Sequence, residues 1–526
     1  MSITAHADAA ADGEPLHHFW NRCVGAGRAN EGLRATWLEH LRTAIDACGF
    51  QYVRFHGLFH DDMFVYREED GRPVHNFQYV DDLFDRLLDL GIRPFVELGF
   101  SPGDLASERG TVFWWQANGA PPRDLGKWAA LVEAIVRHWV GRYGVEEVRQ
   151  WYFEVWNEPN LHPFFRGTRS DYFRLYSATA AAVKGVDQEL RVGGPATSNF
   201  VPDDRFAGET EDFGQHAATI AEPDLDALDW QPVWLKEFFH HCVAMGSPVD
   251  FVSVHPYPTD WALDGLGQSV KLTRGVDSTR RDLALVRELV DAGPFPDAEI
   301  HLTEWSSSPS PRDHTHDYLQ AATFVVKANL ESAGLVDSLS YWTFTDVFEE
   351  NGAGDTPFHG GFGMINYQGV PKPTFHAYHM LGRLGDERLA QEPGVVVTRH
   401  SASGRLTALA YHYPPEVTTA VPASFGGPEV AERTLATGSP TVLDLTLTGL
   451  PPHASFLVET LDQEHGNAVG LWRSAGSAAC PGREETAELN RRAGRLKVHE
   501  AAADGQGTLR LDEPVSPWSL ILITQR

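Results

Sequence analysis

The sequence predicts a (β/α)8 barrel followed by an antiparallel β-sandwich, an α/β architecture with a smaller all-β domain at its carboxyl end. Short apolar runs alternate with amphipathic helical stretches from Phe19 to about Gly385, and long non-helical segments follow the apolar runs. After about residue 386, short alternating runs separated by turn residues replace this pattern. We therefore divide the chain into a lead at 1–18, expected to pack on the β-domain, a barrel at 19–385 and a sandwich at 386–526.

The barrel prediction depends on a count of strand–helix units. The clearest helix carries apolar residues at 3.6-residue spacing from Leu125 to Tyr143, and Gly144 is placed to end it. A doubly wound open sheet is the alternative, because the string GAG after the first strand is similar to a phosphate-binding loop. Asn30 stands where that motif needs its third glycine, so the barrel is preferred. The predicted strands are 20–26, 51–57, 92–99, 150–157, 190–194, 249–255, 298–305 and 336–343.

The sandwich prediction comes from the last part of the chain. Residues 474–505, rich in alanine, glycine and charge, are expected to be a loop or a short helical excursion. Alternating runs with turn residues between them are typical of antiparallel sheets. The predicted strands are 394–399, 405–413, 441–447, 454–461 and 518–524.

Composition excludes several classes of function. The formal net charge of −29 disfavours nucleic acid and anionic membranes as partners. The 4 cysteines are scattered without metal-ligand spacing, so reduced thiols and no metal are expected. No basic region followed by an apolar run opens the chain, and no apolar segment approaches bilayer length. A cytoplasmic monomer or homo-oligomer without a cofactor is therefore expected.

Two carboxyl groups fall at the ends of predicted strands. The run from Trp151 to Trp156 is almost continuously apolar, and the string NEP ends it because proline cannot continue a sheet ladder. Glu158 therefore follows the fourth strand, and Glu304 ends the seventh in the string LTEW. In a barrel these strand ends meet at one face. Two carboxyls across such a mouth suit glycosidic bond cleavage, in which one protonates the leaving oxygen and the other attacks carbon or activates water.

Several motifs along the barrel have a pattern in common with a known family. They are RFHG at 54–57, PFVELGF at 94–100, FWWQANG at 113–119, WYFEVWNEPNL at 151–161, VSVHPYP at 252–258, HLTEWSSS at 301–308 and FTDVFEENGAGDTPFHGGFGMIN at 344–366. Together they resemble glycoside hydrolase family 39 of clan A, and the last string resembles its β-xylosidases. The resemblance implies a retaining exo-glycosidase that releases xylose from the non-reducing end of β-1,4-xylo-oligosaccharides.

The resemblance also implies roles for individual residues. Glu158 matches the acid/base and Glu304 the nucleophile. Asn157 matches the amide that bonds the 2-hydroxyl of the sugar. Arg54 could keep Glu304 ionised, form a structural ion pair with Glu97 or Glu154, or do both.

The remaining matches concern substrate binding. Tyr257 matches the tyrosine that contacts the nucleophile, and the Glu349–Glu350 doublet matches the pair that receives sugar hydroxyls. Trp342 would stack on the sugar ring. The other residues implied near the sugar or in the pocket wall are His56, His255, Trp114, Trp115, Phe164 and Phe165.

Three alternatives stay open. An α-L-iduronidase-like member would need fixed cations for the carboxylate of its substrate, and Lys271 and Arg274 lie in a loop that could supply them. The Glu349–Glu350 doublet would repel that carboxylate. A non-catalytic sugar-binding barrel would show no turnover of an activated glycoside, and an endo-acting barrel would release products longer than a monosaccharide.

Overall fold

The computed structural model describes residues 2–216, 224–263, 269–421 and 427–526, with the main chain alone at 260–263 and 269–271. Parallel strands close into an eight-stranded barrel, which confirms the predicted fold class. Each strand pairs with the next in sequence, and Tyr341 of the last strand pairs with Val24 of the first. The barrel strands are β1 (Cys23–Arg28), β2 (Tyr52–His56), β3 (Arg93–Leu98), β4 (Tyr152–Val155), β5 (Arg191–Ser198), β6 (Phe251–His255), β7 (Glu299–Trp305) and β8 (Ser338–Tyr341).

A helix follows each barrel strand and covers the outside of the barrel. Most of these helices bury an apolar stripe against the strands and expose their charged face, as amphipathic sequences require. A further short helix, Val145–Val148, links the third helix to β4. The barrel helices are α1 (Ala35–Cys48), α2 (Gln78–Asp89), α3 (Leu125–Tyr143), α4 (Arg169–Val186), α5 (Leu235–Met245), α6 (Ser278–Asp291), α7 (Leu319–Glu331) and α8 (Pro373–Gly382).

The barrel interior changes character along its axis. At the amino-terminal end, a buried cluster of Cys23, Tyr52, Phe95, Tyr152 and Phe251 fills the space between the strands. Phe95 and Tyr152 stack with ring centroids 4.7 Å apart. The next layer toward the carboxyl end is polar and charged. A close-packed floor of rings therefore supports a polar layer at the level where a barrel site is expected.

Loops with small hairpins lengthen the carboxyl-terminal face of the barrel. The predicted long segments after β3, β5 and β6 each contain one such hairpin. None of the described helices is both long enough and apolar enough to cross a membrane. The hairpin strands are Tyr66–Glu69 with Arg72–His75, Thr111–Val112 with Ala117–Asn118, Phe200–Val201 with Gln231–Pro232, and Thr259–Leu263 with Ser269–Thr273.

Two sheets form the β-sandwich, and their inner faces bury one apolar core. One sheet orders its strands as Glu14–Pro15, Glu387–Glu392, Val395–Arg399, Leu406–Tyr411, Leu520–Gln525, Ser455–Leu461 and Lys497–Ala502. The other orders them as Ile3–Asp8, Thr441–Thr448 and Leu509–Val515.

The structure adds detail to the sequence-based prediction for the lead, expected to pack on the β-domain, and for residues 474–505. The lead contributes strands to both sheets, and Ile3–Asp8 runs parallel to Thr441–Thr448. The segment predicted as a loop or helical excursion contains the helix Arg483–Ala493 and also the strand Lys497–Ala502. The helices Pro428–Leu435 and Ala468–Ser474 complete this part of the chain.

Candidate active site

A cavity of about 430 Å³ opens at the carboxyl ends of the barrel strands. It brings together residues from the ends of seven strands, β2 to β8, or from the loops that follow them. The sequence-predicted residues that line it are His56, Asn157, Glu158, Phe164, Tyr257, Glu304, Trp342 and Glu350. Its aromatic walls and clustered carboxyls have the character of a small-molecule site.

The backbone turns sharply after β4 to bring Glu158 into this cavity. Trp156 has φ 71° and Glu158 has φ 46°, both in the left-handed region that few non-glycine residues adopt. The Glu158 amide donates to the carbonyl of Ala196 at 2.9 Å, which fixes the turn to the end of β5. The backbone thus adopts an uncommon left-handed conformation at the turn that directs the Glu158 carboxyl into the cavity.

The two predicted catalytic carboxyls are close together. One carboxylate oxygen of Glu158, one of Glu304 and a ring nitrogen of His255 lie within 4.8 Å of one another. Burial and the charge of Glu158 raise the pKa of Glu304, while His255, His56 and Arg54 oppose that rise. The charge of Glu158 therefore bears directly on the protonation of Glu304.

Direct donors hold the carboxylate of Glu304. The Tyr257 hydroxyl donates to Oε1 at 2.7 Å, and Arg54 Nη1 donates to Oε2 at 3.3 Å. Hydrogen bonds and a positive charge on this side favour the ionised form. Burial and the neighbouring Glu304 in turn raise the pKa of Tyr257, so its hydroxyl stays protonated and remains a donor.

Arg54 is the centre of the polar layer below the cavity. Its guanidinium is fully buried and also reaches Glu154 at 2.7 Å and Glu97 at 3.1 Å. Burial alone would lower the pKa of Arg54, but the surrounding carboxylates raise it instead. Arg54 therefore forms the ion pairs with Glu97 and Glu154 and also contacts Glu304, and its role in keeping Glu304 ionised stays a prediction.

The same arginine sets the orientation of Asn157. Arg54 Nη2 donates to Asn157 Oδ1 at 2.7 Å, so the amide oxygen faces the polar layer. The amide NH₂ of Asn157 is consequently the group left to face the cavity, since the two ends of a carboxamide have opposite hydrogen-bonding roles. A donor in this position suits a sugar hydroxyl oxygen.

A chain of hydrogen bonds sets the tautomer of His255 behind Glu158. Burial favours a raised pKa for Glu154, but Arg54 and further donors lower it, so this carboxyl is ionised and accepts the Thr303 hydroxyl proton at 2.6 Å. Thr303 has no second proton and therefore accepts from His255 Nε2 at 2.8 Å. His255 Nδ1 lies 3.1 Å from Glu158 Oε1, so the ring links Thr303 to the acid/base candidate.

Glu350, His56 and Trp342 line another part of the cavity. Burial together with the charges of Glu304 and Glu158 raises the pKa of Glu350 well above its usual value. His56 Nδ1 lies 2.6 Å from Glu97 Oε2, which leaves Nε2 facing Glu350 at 3.6 Å. The Trp342 ring lies beside His56, with centroids 4.8 Å apart. An apolar ring, an imidazole and a carboxyl at one spot match the needs of a sugar ring with several hydroxyls.

Five of the residues implied near the sugar or in the pocket wall do not line the cavity, and three of them pair or pack elsewhere in the described chain. Glu349 forms ion pairs with Arg34 at 2.6 Å and with Arg28 at 3.2 Å, and it does not line the cavity. Trp115 packs under the Arg28 guanidinium and lines a separate groove. Phe165 packs edge-on against Trp156 in the core.

Neighbouring aromatics take the places implied for Trp115 and Phe165. Phe113 and Phe164 line the cavity, because consecutive side chains point in different directions. Trp114 is exposed at the mouth of the adjacent groove. His255, which the sequence also placed near the sugar, is fully buried and touches Glu158 from behind.

The sequence analysis missed the residues of the long loop after β5. This loop has no periodicity, but its cluster of carboxylates, aromatics and a histidine after a barrel strand is the signal that could have drawn attention to it. The loop residues that line the cavity are Ser198, Asn199, Val201, Arg205, Phe206, Glu211, Phe213 and His216.

Of the two cations considered for a carboxylate-bearing substrate, Arg274 lies away from the cavity wall. Arg274 is buried and makes a bidentate pair with Asp282, at 2.6 and 2.8 Å, with its guanidinium 4.0 Å from the centre of the Trp230 ring. The side chain of Lys271 lies outside the described residues. Arg274 is therefore paired with Asp282 and does not line the cavity.

Comparisons with known proteins agree with this geometry. The sequence model of the glycosyl hydrolases family 39 matches residues 3–508. A β-xylosidase of Caldicellulosiruptor saccharolyticus is 36% identical over 517 residues, covering 97% of this chain and 95% of that protein. A β-xylosidase of Geobacillus stearothermophilus is 36% identical over 493 residues, covering 90% and 86%.

A solved structure extends the comparison to the fold. The crystal structure of a monomeric β-xylosidase from Caulobacter crescentus superposes with a TM-score of 0.84 at 32% identity, covering 100% of this chain and 99% of that one. Barrel, sandwich and paired carboxyls thus occur in a chain that matches the family almost from end to end. This protein is a glycoside hydrolase and belongs to glycosyl hydrolase family 39.

Proposed function

We propose that the protein is a retaining, exo-acting β-xylosidase that releases xylose from the non-reducing end of β-1,4-xylo-oligosaccharides by double displacement. The proximity of a Glu158 oxygen to a Glu304 oxygen, within 4.8 Å, carries the proposal. Retaining glycosidases hold their carboxyls about 5–5.5 Å apart, whereas inverting enzymes need about 6.5–9.5 Å to admit a water. The spacing supports direct attack by one carboxylate on the sugar.

In the first step, Glu304 acts as the nucleophile. A carboxylate oxygen forms a bond to C1, the bond between C1 and the leaving oxygen breaks, and the proton of Glu158 moves to that oxygen. Tyr257 and Arg54 favour the ionised nucleophile through their hydrogen bonds to its two oxygens. His255 Nδ1 lies 3.1 Å from Glu158 Oε1 and positions the acid for this step.

In the second step, Glu158 acts as a base. Its carboxylate takes a proton from water, the water oxygen bonds to C1, and Glu304 leaves as a carboxylate. The two inversions give xylose of the original configuration. The Asn157 amide, fixed by Arg54, donates to the 2-hydroxyl, an interaction that strengthens as charge develops at C1.

The polar groups of the cavity support xylose over a charged sugar. Glu350 offers a carboxyl to hydroxyls and would repel a carboxylate at C5 once ionised. The bidentate pairing of Arg274 with Asp282 leaves that guanidinium turned to a partner of its own, which weighs against the iduronidase-like alternative. The two full-length relatives described above are named as β-xylosidases. A cavity of about 430 Å³ also favours exo action over a long endo cleft.

A panel of aryl glycosides tests the proposal. We expect the aryl xyloside to be cleaved fastest, the glucoside slowly and the iduronide negligibly, with β-xylose as the first product. A 2-fluoro-xyloside should label Glu304 in a peptide map. Faster cleavage of the iduronide, or α-xylose as the first product, would contradict it.

Two variants test the roles of the carboxyls separately. Glu158→Ala should spare the first step on a dinitrophenyl xyloside, which needs no acid, and azide should rescue turnover as the β-glycosyl azide. Glu304→Ala should be nearly inactive on every substrate. Equal losses in both variants on activated and unactivated substrates would show that the roles are assigned wrongly.

A further inference from the structure

The segment between β8 and α8 forms one wall of the cavity. It spans residues 342–372, which we call the β8 loop, and it contributes Trp342, Glu350 and Phe362 to the wall. The structure describes this segment throughout, and no helix or strand lies within it. The positions of Glu350 and Phe362 therefore depend on contacts other than a regular backbone ladder.

A buried lysine holds distant points of this loop together. Lys372 Nζ lies 2.7 Å from both Asp346 Oδ2 and Asp317 Oδ1. It also donates to the Gly361 carbonyl at 2.9 Å, so three oxygens match the three protons of the ammonium. Asp346 and Gly361 belong to the β8 loop, whereas Asp317 ends the short helix His314–Asp317, which precedes α7. Lys372 thus ties the β8 loop to itself and to the segment that follows β7.

The other carboxylate oxygens of the two aspartates hold the glycine-rich part of the loop. Asp346 Oδ1 accepts from the Gly363 amide at 2.7 Å, and Asp317 Oδ2 accepts from the Gly360 amide at 2.7 Å. The approach leaves no room for a side chain, since a β-carbon at Gly361 would lie 2.4 Å from Asp346 Oδ1. The string HGGFG at 359–363 is therefore wound closely around the two carboxylates.

The three charged groups, which we call the Lys372 triad, are almost completely buried. Lys372 and Asp317 are fully buried, and Asp346 is 5% exposed. Burial alone would lower the pKa of Lys372, but the two carboxylates raise it, so the ammonium keeps its charge. Desolvation offsets much of the attraction among buried charges, so net stability gives little reason for such a triad. A fixed geometry of the bonded segments is the other property that it provides.

Aromatic contacts connect the Lys372 triad to the cavity. Phe362 lies between two of the glycines that contact the triad, and it lines the cavity. Its ring packs edge-on against Phe348, with centroids 5.4 Å apart, and Phe348 packs edge-on against Trp342 at 6.0 Å. Glu350 follows Phe348 by two residues. A shift of the glycine-rich segment would therefore move Phe362 and, through Phe348, disturb the wall at Trp342 and Glu350.

We propose that Lys372 is a positioning residue for sugar binding, because its two ion pairs hold the β8 loop in the shape that places Phe362 and Glu350 against the sugar. Lys372 does not line the cavity, so it acts on the sugar through this loop. The proposal rests on the proposed function, because it takes the bound sugar to be xylose. Contacts that the bound substrate and the transition state share affect KM more than kcat when they are lost.

Lys372→Met tests the role of the ammonium with a side chain of similar length. We expect KM for an aryl xyloside to rise by roughly tenfold or more, while kcat changes by less than about threefold. Lys327→Met is the matched control, because Lys327 in α7 is also mostly buried between two carboxylates, Asp277 at 3.0 Å and Glu331 at 2.6 Å, and lies outside the cavity wall. The control should lower the thermal midpoint and leave KM within about twofold of the wild-type value.

A second variant moves the loop without removing a charge. Gly361→Ala places a methyl group against Asp346 Oδ1, and we expect a similar rise in KM. Gly185→Ala in α4 is its control, because open space surrounds the β-carbon there and KM should not change. Far-UV circular dichroism checks that each variant is folded. Should Lys372→Met fail to fold, Gly361→Ala decides alone.

A KM within about twofold of wild type in folded Lys372→Met, or in folded Gly361→Ala, would overturn the role of Lys372. So would a thermal midpoint that falls in Lys372→Met with kinetics like those of Lys327→Met, because the triad would then serve stability alone. A wild type that cleaves another aryl glycoside and no xyloside would overturn the proposed function instead. The same KM comparison on that glycoside would still decide the role of Lys372.

Discussion

Glu349 and Glu350 are adjacent in the chain but have opposite surroundings. Burial alone would raise the pKa of Glu349, yet its bonds to Arg34 and Arg28 lower it, so it is a fixed anion in an ion-pair cluster. Glu350 faces the cavity, where burial and the charge of Glu304 raise its pKa. Within the doublet we therefore propose Glu350 alone as the sugar-binding residue.

The first prediction compares alanine at these two positions. Glu350→Ala should lower kcat/KM for aryl xylosides by roughly 2- to 13-fold for each hydroxyl bond lost, because a hydrogen bond of an uncharged carboxyl contributes about 0.5–1.5 kcal/mol. Glu349→Ala should affect thermal stability more than turnover, since it leaves Arg28 and Arg34 without their shared carboxylate. Xyloside turnover that survives Glu350→Ala intact would contradict this assignment.

The second prediction concerns the pH dependence of the nucleophile. Tyr257→Phe removes a donor that favours the ionised form of Glu304, so the pKa of Glu304 should rise further. Protonated Glu304 is inactive, and the acidic limb of the kcat/KM profile should therefore move to higher pH by about one unit. Tyr378→Phe is a matched control, because Tyr378 is buried in α8 outside the cavity. An unmoved acidic limb in Tyr257→Phe would show that this bond does not tune the nucleophile.

The sequence located the chemistry of the site better than its walls. Glu158 and Glu304 could be placed because each ends a buried strand run, and barrel topology brings such ends together. Which residue of an aromatic pair faces the cavity depends on local backbone turns. Phe113 has φ 64°, and this left-handed turn occurs just before Trp115 leaves the wall. Such turns are not encoded in a periodic pattern, so the choice between neighbours could not be predicted.

At the scale of elements, the first barrel strand is shaped by a ring on the last. The glycines of β1 are similar to part of a phosphate-binding loop, but the structure gives another reason for a glycine at position 25. A β-carbon at Gly25 would lie 2.4 Å from Trp342 Cε3 and 3.1 Å from the Tyr341 carbonyl oxygen. Trp342 can lie over the strand only because Gly25 has no side chain.

The third prediction follows from that contact. Gly25→Ala should displace the Trp342 ring and weaken sugar stacking, so kcat/KM for aryl xyloside should fall at least tenfold in a protein with unchanged far-UV circular dichroism. Gly141→Ala is the control, because Gly141 in α3 has open space at its β-carbon and alanine favours a helix by about 0.5–1 kcal/mol. An active Gly25→Ala variant with wild-type KM would argue against the role of this contact.

The sandwich strands show which elements a sequence reveals. The strands predicted there carry buried apolar runs, as in Leu406–Tyr411. Lys497–Ala502 was missed because it is a polar edge strand with mostly exposed side chains, and Leu509–Val515 because Pro514 lies within it. Ile3–Asp8 pairs with residues more than 400 positions away, and local pattern carries no information on such a pairing.

At the scale of the whole molecule, barrel and sandwich share part of their cores. We propose the division near residue 386 as the boundary between them, with the lead joined to the sandwich sheets. The main apolar cluster nevertheless runs from the barrel helices into the sandwich, where it includes Leu409, Trp518 and Leu522. Thr323 in α7 donates to the Trp518 carbonyl at 2.6 Å, and Gln320 donates to the Ala431 carbonyl at 3.0 Å. The sandwich therefore covers apolar surface of the barrel.

The last prediction tests whether the two parts unfold together. Trp518 is fully buried at their junction, and its ring packs edge-on against Tyr413 at 4.8 Å. Trp518→Ala should cost about 3–5 kcal/mol through the cavity it leaves, and lower the thermal midpoint by a few degrees. Because the core is shared, loss of xylosidase activity on heating should coincide with loss of the β-sheet circular dichroism signal, in the variant as in the wild type.

Val442→Ala is the control. Val442 is at an exposed strand position, so this change should alter the free energy of unfolding by no more than about 0.5 kcal/mol. A sandwich that melts first and leaves an active barrel would show that the shared core does not couple the two parts.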